Sequence, residues 1–403
     1  MSELSYLEKL LDGVEVEWVT LGSMADIGTG SSNRQDESEN GIYPFYVRSK
    51  NILKSDTFEF DEVAIVIPGE GGIGDIFHYV EGKYALHQRA YRIRITTNAV
   101  DTKFLYYFMS SSFKQYILTK SVGATAISIR KPMLEGFKVP IPSPDNPEKS
   151  LAIQSEIVRI LDKFTALTAE LTAELNMRKK QYNYYRDQLL SFDDEQEKPI
   201  YLEKLLDGVE VEWLPLGEVS ALRRGRVMSK GYLTENFGPY PVYSSQTANN
   251  GKIGSINTFD FDGEYISWTT DGANAGTVFY RTGKFSITNV CGLITLKNKY
   301  PLIYKFLFYW LTIEAKKHVY SGMGNPKLMS HQVENIPVPV PCPDNPEKSL
   351  AIQSEIVRIL DKFDTLTNSI TEGLPREIEL RQKQYEYYRD LLFSFPKPET
   401  VSN

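Results

Sequence analysis

One glycine-rich run comes closest to a cofactor-binding motif. Residues 69–74 read GEGGIG and fit G-x-G-x-x-G, the spacing that holds a dinucleotide pyrophosphate at the start of a helix. That chemistry needs a helix after the glycines and an acidic residue about 20 positions further on. Here residues 76–80 have the composition of a strand, and residues 89–95 are basic. We interpret the run as a tight turn between two strands.

Other catalytic patterns are absent from the sequence. None of the three Gly-Lys pairs has the glycine five positions earlier that a phosphate-binding P-loop requires. The four histidines show no metal-ligand spacing, and the sequence contains no G-x-S-x-G elbow and no Asn/Asp-Pro-Pro-aromatic tetrapeptide of amino-methyltransferases. We therefore expect no catalytic residue, no metal and no cofactor on this chain.

Cysteine content and hydropathy indicate the compartment. The chain has only two cysteines, Cys291 and Cys342, which fits a reducing environment. Residues 1–18 lack a signal-peptide pattern, and the longest apolar run, residues 63–68, is far too short to span a membrane. These features predict a cytoplasmic protein.

The net charge of the whole chain argues against nucleic-acid binding, but the charges of its separate segments do not. The 403 residues carry 45 Lys+Arg and 52 Asp+Glu, a net charge of −7, whereas nucleic-acid binders are usually basic. Residues 1–18 and 193–213 carry −4 and −6, while residues 19–138 and 214–337 carry +1 and +5. The acidity lies in short leader and linker segments, and the two middle regions are basic.

The chain contains one unit of about 200 residues twice. Residues 6–18, YLEKLLDGVEVEW, recur at 201–213, and residues 144–164, PDNPEKSLAIQSEIVRILDKF, recur at 343–363. The middle regions, 19–138 and 214–336, match only at scattered positions, such as Gly82-Lys83 with Gly283-Lys284, but in the same order. This pattern predicts one fold that carries two different surfaces. Two equal segments suit two copies of one partner, and two unequal regions suit an asymmetric ligand.

Long helices are predicted after each middle region. From Ile153 to Phe192, apolar or seam positions recur at steps of 3 and 4, which is a coiled-coil seam with one stutter. The second segment has the same rhythm from Ile352 to Ile370, then four extra residues, and Gly373-Leu374-Pro375 is expected to kink or break that helix. Each helix could pack only on its own domain, but the length of the seam favours an antiparallel pair.

The middle regions have the composition of mixed, strand-rich domains. We predict strands at residues 63–68 and 265–268, short aromatic helices at 103–110 and 304–313, and stiff extended connectors at 139–144 and 338–343. The fold class is therefore α+β, with two such domains separated by two long antiparallel coiled-coil helices and related by a pseudo-two-fold repeat.

Basic and amide side chains cluster at the predicted loops of both middle regions. Arg and Lys contact guanine edges and phosphates, while Asn and Gln contact adenine. Any one cluster also fits a solvated surface, but together with the duplicated architecture the clusters favour DNA binding. The candidate DNA-binding residues are Arg34, Lys50, Asn51, Gln88, Arg89, Arg130, Lys131, Arg223, Arg224, Arg226, Lys230, Asn250, Lys252, Asn325 and Lys327.

The chain resembles the specificity subunits of type I restriction-modification enzymes, most closely the type IC group. The duplicated PDNPEKSLAIQSEIVRILDKF, the TAEL repeat at 168–175 and RQKQYEYYRDLLFSF at 381–395 carry the resemblance. It implies target-recognition domains at 19–143 and 214–342, and spacer helices at 144–192 and 343–395. The remaining segments are a leader at 1–18, a linker with the second leader at 193–213, and a tail at 396–403.

The resemblance also implies a non-catalytic role in a larger complex. Each target-recognition domain would bind half of a bipartite, asymmetric double-stranded DNA sequence, and the spacers would set the gap. Two methyltransferase subunits would dock on the spacers and methylate adenine with S-adenosylmethionine, and restriction subunits joined through them would use ATP and Mg²⁺. The candidate spacer and docking residues are Ile157, Phe164, Leu171, Leu175, Tyr182, Tyr185, Ile356, Phe363, Tyr385 and Tyr388. The alternatives are a catalytic DNA methyltransferase or nuclease, and a coiled-coil scaffold that ignores DNA.

Overall fold

The computed structural model describes residues 6–72, 74–120, 128–192, 199–322 and 324–397. The chain forms two compact units, of which unit 1 comprises Met1–Thr172 with Glu377–Asn403, and unit 2 comprises Ala173–Arg376. Parts of the predicted leader (1–5), linker (193–198) and tail (398–403), and residue 73 of the glycine run, lie outside the described residues. None of the described helices is long and apolar enough to cross a membrane.

The first half of the chain is a strand-rich region followed by a long helix. Its strands are β1 (Val16–Thr20), β2 (Ala25–Thr29), β3 (Tyr43–Tyr46), β4 (Leu53–Ser55), β5 (Phe60–Pro68), β6 (His78–Leu86), β7 (Ala90–Ile95) and β8 (Lys138–Pro142). Its helices are α1 (Tyr6–Leu11), α2 (Thr102–Lys120), α3 (Lys131–Glu135) and α4 (Pro147–Leu189).

The second half repeats this plan with a divided helix at its end. Its strands are β9 (Val211–Pro215), β10 (Ser220–Arg224), β11 (Phe237–Tyr243), β12 (Lys252–Ile256), β13 (Phe261–Thr269), β14 (Val278–Ile287), β15 (Cys291–Leu296) and β16 (Pro337–Pro341). Its helices are α5 (Ile200–Leu206), α6 (Leu216–Val219), α7 (Lys230–Glu235), α8 (Tyr304–Glu314), α9 (Ser330–Val333), α10 (Pro346–Asn368) and α11 (Gly373–Leu392).

The main sheets of the two units have one topology. The strand order is β2-β7-β5-β6-β3-β4 in unit 1 and β10-β15-β13-β14-β11-β12 in unit 2. Each sheet is antiparallel except for one parallel pair, β3 with β6 and β11 with β14. The mixed, strand-rich α+β fold and the internal repeat predicted from the sequence are confirmed.

The predicted extended connectors are strands, and their pairing with the leader segments was not predicted. β8 pairs antiparallel with β1, and β16 pairs with β9, so each leader and each proline-rich segment form a two-stranded sheet. The alternation of proline with valine or isoleucine places every missing N–H on the edge that faces away from the partner strand. The short-helix predictions hold at 304–313, but α2 runs ten residues beyond the predicted end because its apolar face continues to Ile117.

The long helices are present with the predicted asymmetry. α4 is continuous over 43 residues, about 64 Å at 1.5 Å per residue. The second helical segment is interrupted between Asn368 and Gly373, just before the predicted Gly-Leu-Pro, and Gly373 has a φ of +75°. Pro375 lies in the first turn of α11, where a missing N–H breaks no helical hydrogen bond.

Identical residues of the repeat hold each helix to its own domain. In unit 1 the Asp162 carboxylate accepts from Lys103 Nζ and from Tyr107 Oη, both at 2.7 Å. Asp361 makes the same pair in unit 2, with Lys305 at 2.6 Å and Tyr309 at 2.7 Å. Much of the duplicated sequence is therefore explained by contacts within each unit.

Each core is completed by aromatic side chains from the end of a helical segment. In unit 1, Phe395 packs edge-on against Phe104, with ring centroids 6.1 Å apart. In unit 2, Phe192 packs in the same way against Phe306, at 5.9 Å. The carboxyl-terminal segment thus has the same packing role in unit 1 that the residues before the second leader have in unit 2.

Candidate nucleic-acid interface

In unit 1, loops that connect the strands of the main sheet line a cleft of 490 Å³. Arg34 comes from the β2–β3 loop, Arg48 and Asn51 from the β3–β4 loop, Glu70 from the β5–β6 loop, and His87 from the β6–β7 loop. Residues distant in sequence therefore meet in one cleft, although only the β3–β4 and β5–β6 loops connect strands that are neighbours in the sheet. Of the predicted residues, Arg34 and Asn51 line this cleft directly.

Glu70 is the centre of the charge arrangement in the cleft. Its carboxylate accepts from Arg48 Nη1 at 3.0 Å and from Arg89 Nη1 at 3.2 Å. Burial and the charges of Arg48 and Arg89 lower the pKa of His87, so the ring is neutral at pH 7, and its Nδ1 accepts from the Arg89 amide at 3.0 Å. The two guanidinium groups exceed the one carboxylate by a full positive charge and leave N–H donors free for a ligand.

The other predicted residues of unit 1 lie around this cleft or away from it. Gln88 donates to the side chain of Asn33, beside Arg34, at 2.6 Å, and Lys50 is exposed in the β3–β4 loop. Arg130 follows residues 128–129, whose backbone pairs with residues 69–70. Lys131 instead lies in α3, 3.8 Å from Glu135, and is not brought into the cluster.

Sequence reasoning missed Arg48 and Glu70. Arg48 is two residues from the predicted Lys50, so a search of the whole loop would have included it. Glu70 was set aside with the glycine run, although an acidic residue in a tight turn is also a possible acceptor for a cytosine amino group.

In unit 2, two of the predicted arginines join neighbouring loops. Arg224 Nη2 donates to the Asn289 carbonyl at 2.7 Å and to Thr270 Oγ1 at 3.2 Å. Arg226 Nε pairs with Asp260 at 3.0 Å, and its guanidinium lies 5.1 Å from the centre of the Tyr232 ring. These contacts fix both arginines at the ends of the central strands.

Three further loops of unit 2 are contiguous with these arginines. The side chain of Asn274 donates to the Ser245 carbonyl at 3.2 Å, which joins the β13–β14 turn to the β11–β12 loop that carries Asn250 and precedes Lys252. The backbone of Lys327 pairs with that of Asp271, so the loop with Asn325 and Lys327 lies against the same turn. Asn250, Lys252, Asn325 and Lys327 are exposed.

Arg223 and Lys230 are placed differently from the other predicted residues of unit 2. Consecutive side chains of a strand point to opposite faces, so Arg223 in β10 faces away from the side that Arg224 occupies. Lys230 is the first residue of α7, which Ser229 caps by accepting from the Tyr232 amide at 3.1 Å. Tyr232, in the same helix, is the residue that contacts Arg226.

We call the loops around the cleft of unit 1, and the connected loops around Arg224 and Arg226 of unit 2, the two loop clusters. Their side chains have the chemistry of a surface that binds phosphates and base edges. Exposed guanidinium, ammonium and amide groups on loops are the donors that contact phosphates and base edges. The clusters differ in residue type on one shared fold, which suits two different half-sites. Among the described residues, no three His, Cys, Asp or Glu side chains are grouped to hold a metal ion.

The candidate spacer residues fall into three environments. Ile157 and Ile356 are fully buried in the cores of their own units, so these side chains hold helix to domain. Phe164 stacks on Tyr388 at 5.4 Å within unit 1, and Phe363 stacks on Tyr185 at 5.4 Å within unit 2. The others are half-buried along the helices: Leu171, Leu175, Tyr182 and Tyr385.

A second exposed surface is an aromatic groove in unit 2, and exposed tyrosines occupy the equivalent sequence positions in unit 1. In unit 2, a groove of 730 Å³ is lined by Tyr184, Ile200, Tyr201 and Phe363 among others. Tyr184 and Tyr201 are 61% and 50% exposed, and their counterparts in unit 1, Tyr387 and Tyr6, are 65% and 46% exposed. Exposed aromatic clusters of this size are typical of protein interfaces.

Comparisons with known proteins agree with this architecture. A family model described as the type I restriction modification DNA specificity domain matches the chain twice, over residues 13–178 and 208–380. The type I restriction enzyme EcoR124I/EcoR124II specificity subunit of Escherichia coli is 38% identical over 438 residues, with 100% of both chains covered. The EcoprrI specificity subunit of Escherichia coli is 34% identical and covers 92% of this chain and 93% of its own.

A solved structure shows the same fold. The crystal structure of the S subunit of a type I restriction-modification system from M. genitalium superposes with a TM-score of 0.60 at 18% identity. The match covers 96% of this chain and 98% of that one.

Proposed function

The chain belongs to the type I restriction modification DNA specificity family, and we propose that it gives such a restriction-modification complex its DNA sequence specificity. One observation carries the proposal: the family model matches once in each half of the chain, and each match contains one of the two loop clusters. Because the clusters differ while their scaffold is shared, each is suited to bind a different half of a bipartite duplex sequence.

The assignment of domains and contacts is part of the proposal. Residues 19–143 and 214–342 are the target-recognition domains, residues 144–192 and 343–395 are the spacers, and the predicted Arg, Lys, Asn and Gln side chains are the DNA contacts. Arg48 and Glu70 join this set because they line the same cleft as Arg34 and Asn51. Lys131 and Arg223 are the weakest members, because Lys131 lies beside Glu135 in α3 and Arg223 faces the opposite side of β10 from Arg224.

The partners follow from the duplicated surface. Two methyltransferase subunits would each occupy one exposed aromatic cluster, Tyr184 with Tyr201 and Tyr387 with Tyr6, because equal surfaces bind equal partners. S-adenosylmethionine for adenine methylation would be bound by those subunits, and ATP and Mg²⁺ by restriction subunits joined through them. This chain would supply recognition and positioning without a catalytic residue of its own, in the cytoplasm, as in the type IC group.

A binding selection tests the proposal. The chain alone is expected to bind fluorescent random-sequence duplex DNA weakly, with a Kd of about 10⁻⁴–10⁻⁶ M that rises steeply with salt, because the surplus positive charge of its two middle regions meets only phosphates. With two equivalents of the cognate methyltransferase subunit, selection from a randomised duplex library should enrich one bipartite sequence that is bound at least about a thousandfold more tightly.

The same preparation distinguishes the alternatives. Methylation or cleavage of DNA by the isolated chain, supplied with S-adenosylmethionine, ATP and Mg²⁺, would establish a catalytic subunit instead. A complex that assembles with the methyltransferase subunit but enriches no sequence would identify the chain as a scaffold.

A further inference from the structure

A buried, uncompensated positive charge lies beneath the β11–β12 loop of unit 2. Arg281 in β14 is only 3% exposed, and among the residues that the structure describes no carboxylate pairs with it. An unpaired buried charge is costly unless its donors are satisfied. Burial lowers the pKa of Arg281 to about 10, so the guanidinium stays charged at neutral pH.

The contacts of Arg281 join three strands of the sheet to the β11–β12 loop. Its guanidinium stacks on the rings of Tyr243 and Phe279, at 3.6 and 4.5 Å from their centroids. Nε donates to Ser267 Oγ at 3.0 Å, and Nη1 donates to the main-chain carbonyl of Asn250 at 2.8 Å. A planar group with several donors can hold a stacked position and a carbonyl together.

The loop needs such support because its backbone is unusual. Asn249, Asn250 and Gly251 have φ values of +49°, +56° and +82°, a left-handed run that costs free energy at non-glycine residues. A Cβ added at Gly251 would lie 3.1 Å from Arg281 Nη2. This conformation leaves the side chain of Asn250 and that of Lys252, two residues further on, exposed.

The shared fold does not require this arginine. In unit 1 the register of β5 with β6 pairs Val80 with Ala64, where unit 2 pairs Arg281 with Tyr265. Val66 similarly stands where unit 2 has Ser267, and both valines are buried in the small apolar cluster of that sheet. Unit 1 therefore fills the same interior with hydrocarbon, which is the less costly solution.

We propose that Arg281 is a positioning residue for base recognition, which holds residues 244–252 so that Asn250 and Lys252 present donors to the base edges of one DNA half-site. The proposal rests on the proposed function, because it requires that unit 2 bind duplex DNA. Asn suits an adenine edge and Lys a guanine edge, so the loop would contact purines.

The test uses the full chain in complex with its methyltransferase subunits. The double variant Arg281→Val with Ser267→Val installs the apolar pair that unit 1 already has at these positions, so the strands are expected to fold. The loop loses the hydrogen bond to the Asn250 carbonyl. We expect discrimination at one half-site to fall at least about fivefold in methylation assays on single-base-pair variants of the selected sequence, with the other half-site unaffected. Asn250→Ala, which keeps the carbonyl that Arg281 binds, should relax one position of that same half-site.

Several outcomes would overturn the proposal. These are an unchanged preference in the folded double variant, a uniform loss of rate with the sequence preference intact, or equal relaxation of both half-sites. Should the double variant fail to fold, Gly251→Ala disturbs the loop without altering β14 and should relax the same half-site; unchanged discrimination there would overturn the proposal too. Failure of the proposed function is separate, because the wild-type complex would then select no sequence.

Discussion

Exchange of residues 21–137 for the equivalent region of a relative is expected to change one half of the recognised DNA sequence completely and to leave the other half unaltered. The exchanged region contains every loop that lines the cleft of unit 1. Its ends meet at the hydrogen bond from the Leu21 amide to the Phe137 carbonyl, 2.8 Å long. A graft with these limits retains the pairing of β1 with β8.

The design preserves the contacts that hold the graft to α4. Lys103 and Tyr107 should be kept or restored in the grafted segment, because both pair with Asp162 outside it. Methylated adenines are then mapped in DNA modified by the hybrid complex. The matched control exchanges the corresponding region of unit 2, residues 216–336, and should change only the opposite half. Alteration of both halves by either exchange would refute the modular assignment.

Insertion of one further Thr-Ala-Glu-Leu copy after Leu175 is expected to lengthen the unread gap by one or two base pairs and to leave both half-sites unchanged. Four residues extend a helix by about 6 Å, and DNA rises 3.4 Å per base pair. The insertion site lies inside α4, which is continuous from Pro147 to Leu189, and the chain passes from unit 1 into unit 2 between Thr172 and Ala173. Added helical length there lies within α4, three residues past that division of the chain.

A control insertion separates helical length from chain length. Gly-Ser-Gly-Gly at the same position adds the same number of residues but lowers helix propensity by about 1 kcal/mol per glycine. It should reduce methylation without producing one new, uniform gap. If the Thr-Ala-Glu-Leu variant instead kept the original gap, or changed the bases of a half-site, the helix would not act as the spacer.

The repeat and the periodicity made much of the fold predictable. Identical segments establish two copies of one unit, and steps of 3 and 4 from Ile153 onward predict the helix that α4 provides. The glycine run at 69–74 was correctly interpreted as a turn between strands, since β5 ends at Pro68 and β6 begins at His78. These features are local, so they can be inferred from spacing alone.

Contacts between residues that are distant in the sequence could not be predicted from residue spacing. The pairing of β8 with β1 joins residues more than 100 positions apart, so the sequence predicts the extended backbone of the proline-rich segment but not its partner strand. Arg34, Asn51 and Arg226 could be predicted from their charge or amide group and their position in loops. The same properties do not predict that Glu70 joins Arg48 to Arg89. Nor could they show that Arg281 is buried, because its neighbours in sequence resemble any exposed strand.

The decisive measurement for the role of this chain in recognition is a map of methylated adenines. It compares cells that carry the intact restriction-modification system with cells from which only this chain has been deleted. We expect one asymmetric motif of two different half-sites separated by a fixed gap, with one modified adenine in each half, and loss of that motif when the chain is deleted. Persistence of the same motif without the chain, or a motif that is continuous and undivided, would contradict the assignment of sequence recognition to its two loop clusters.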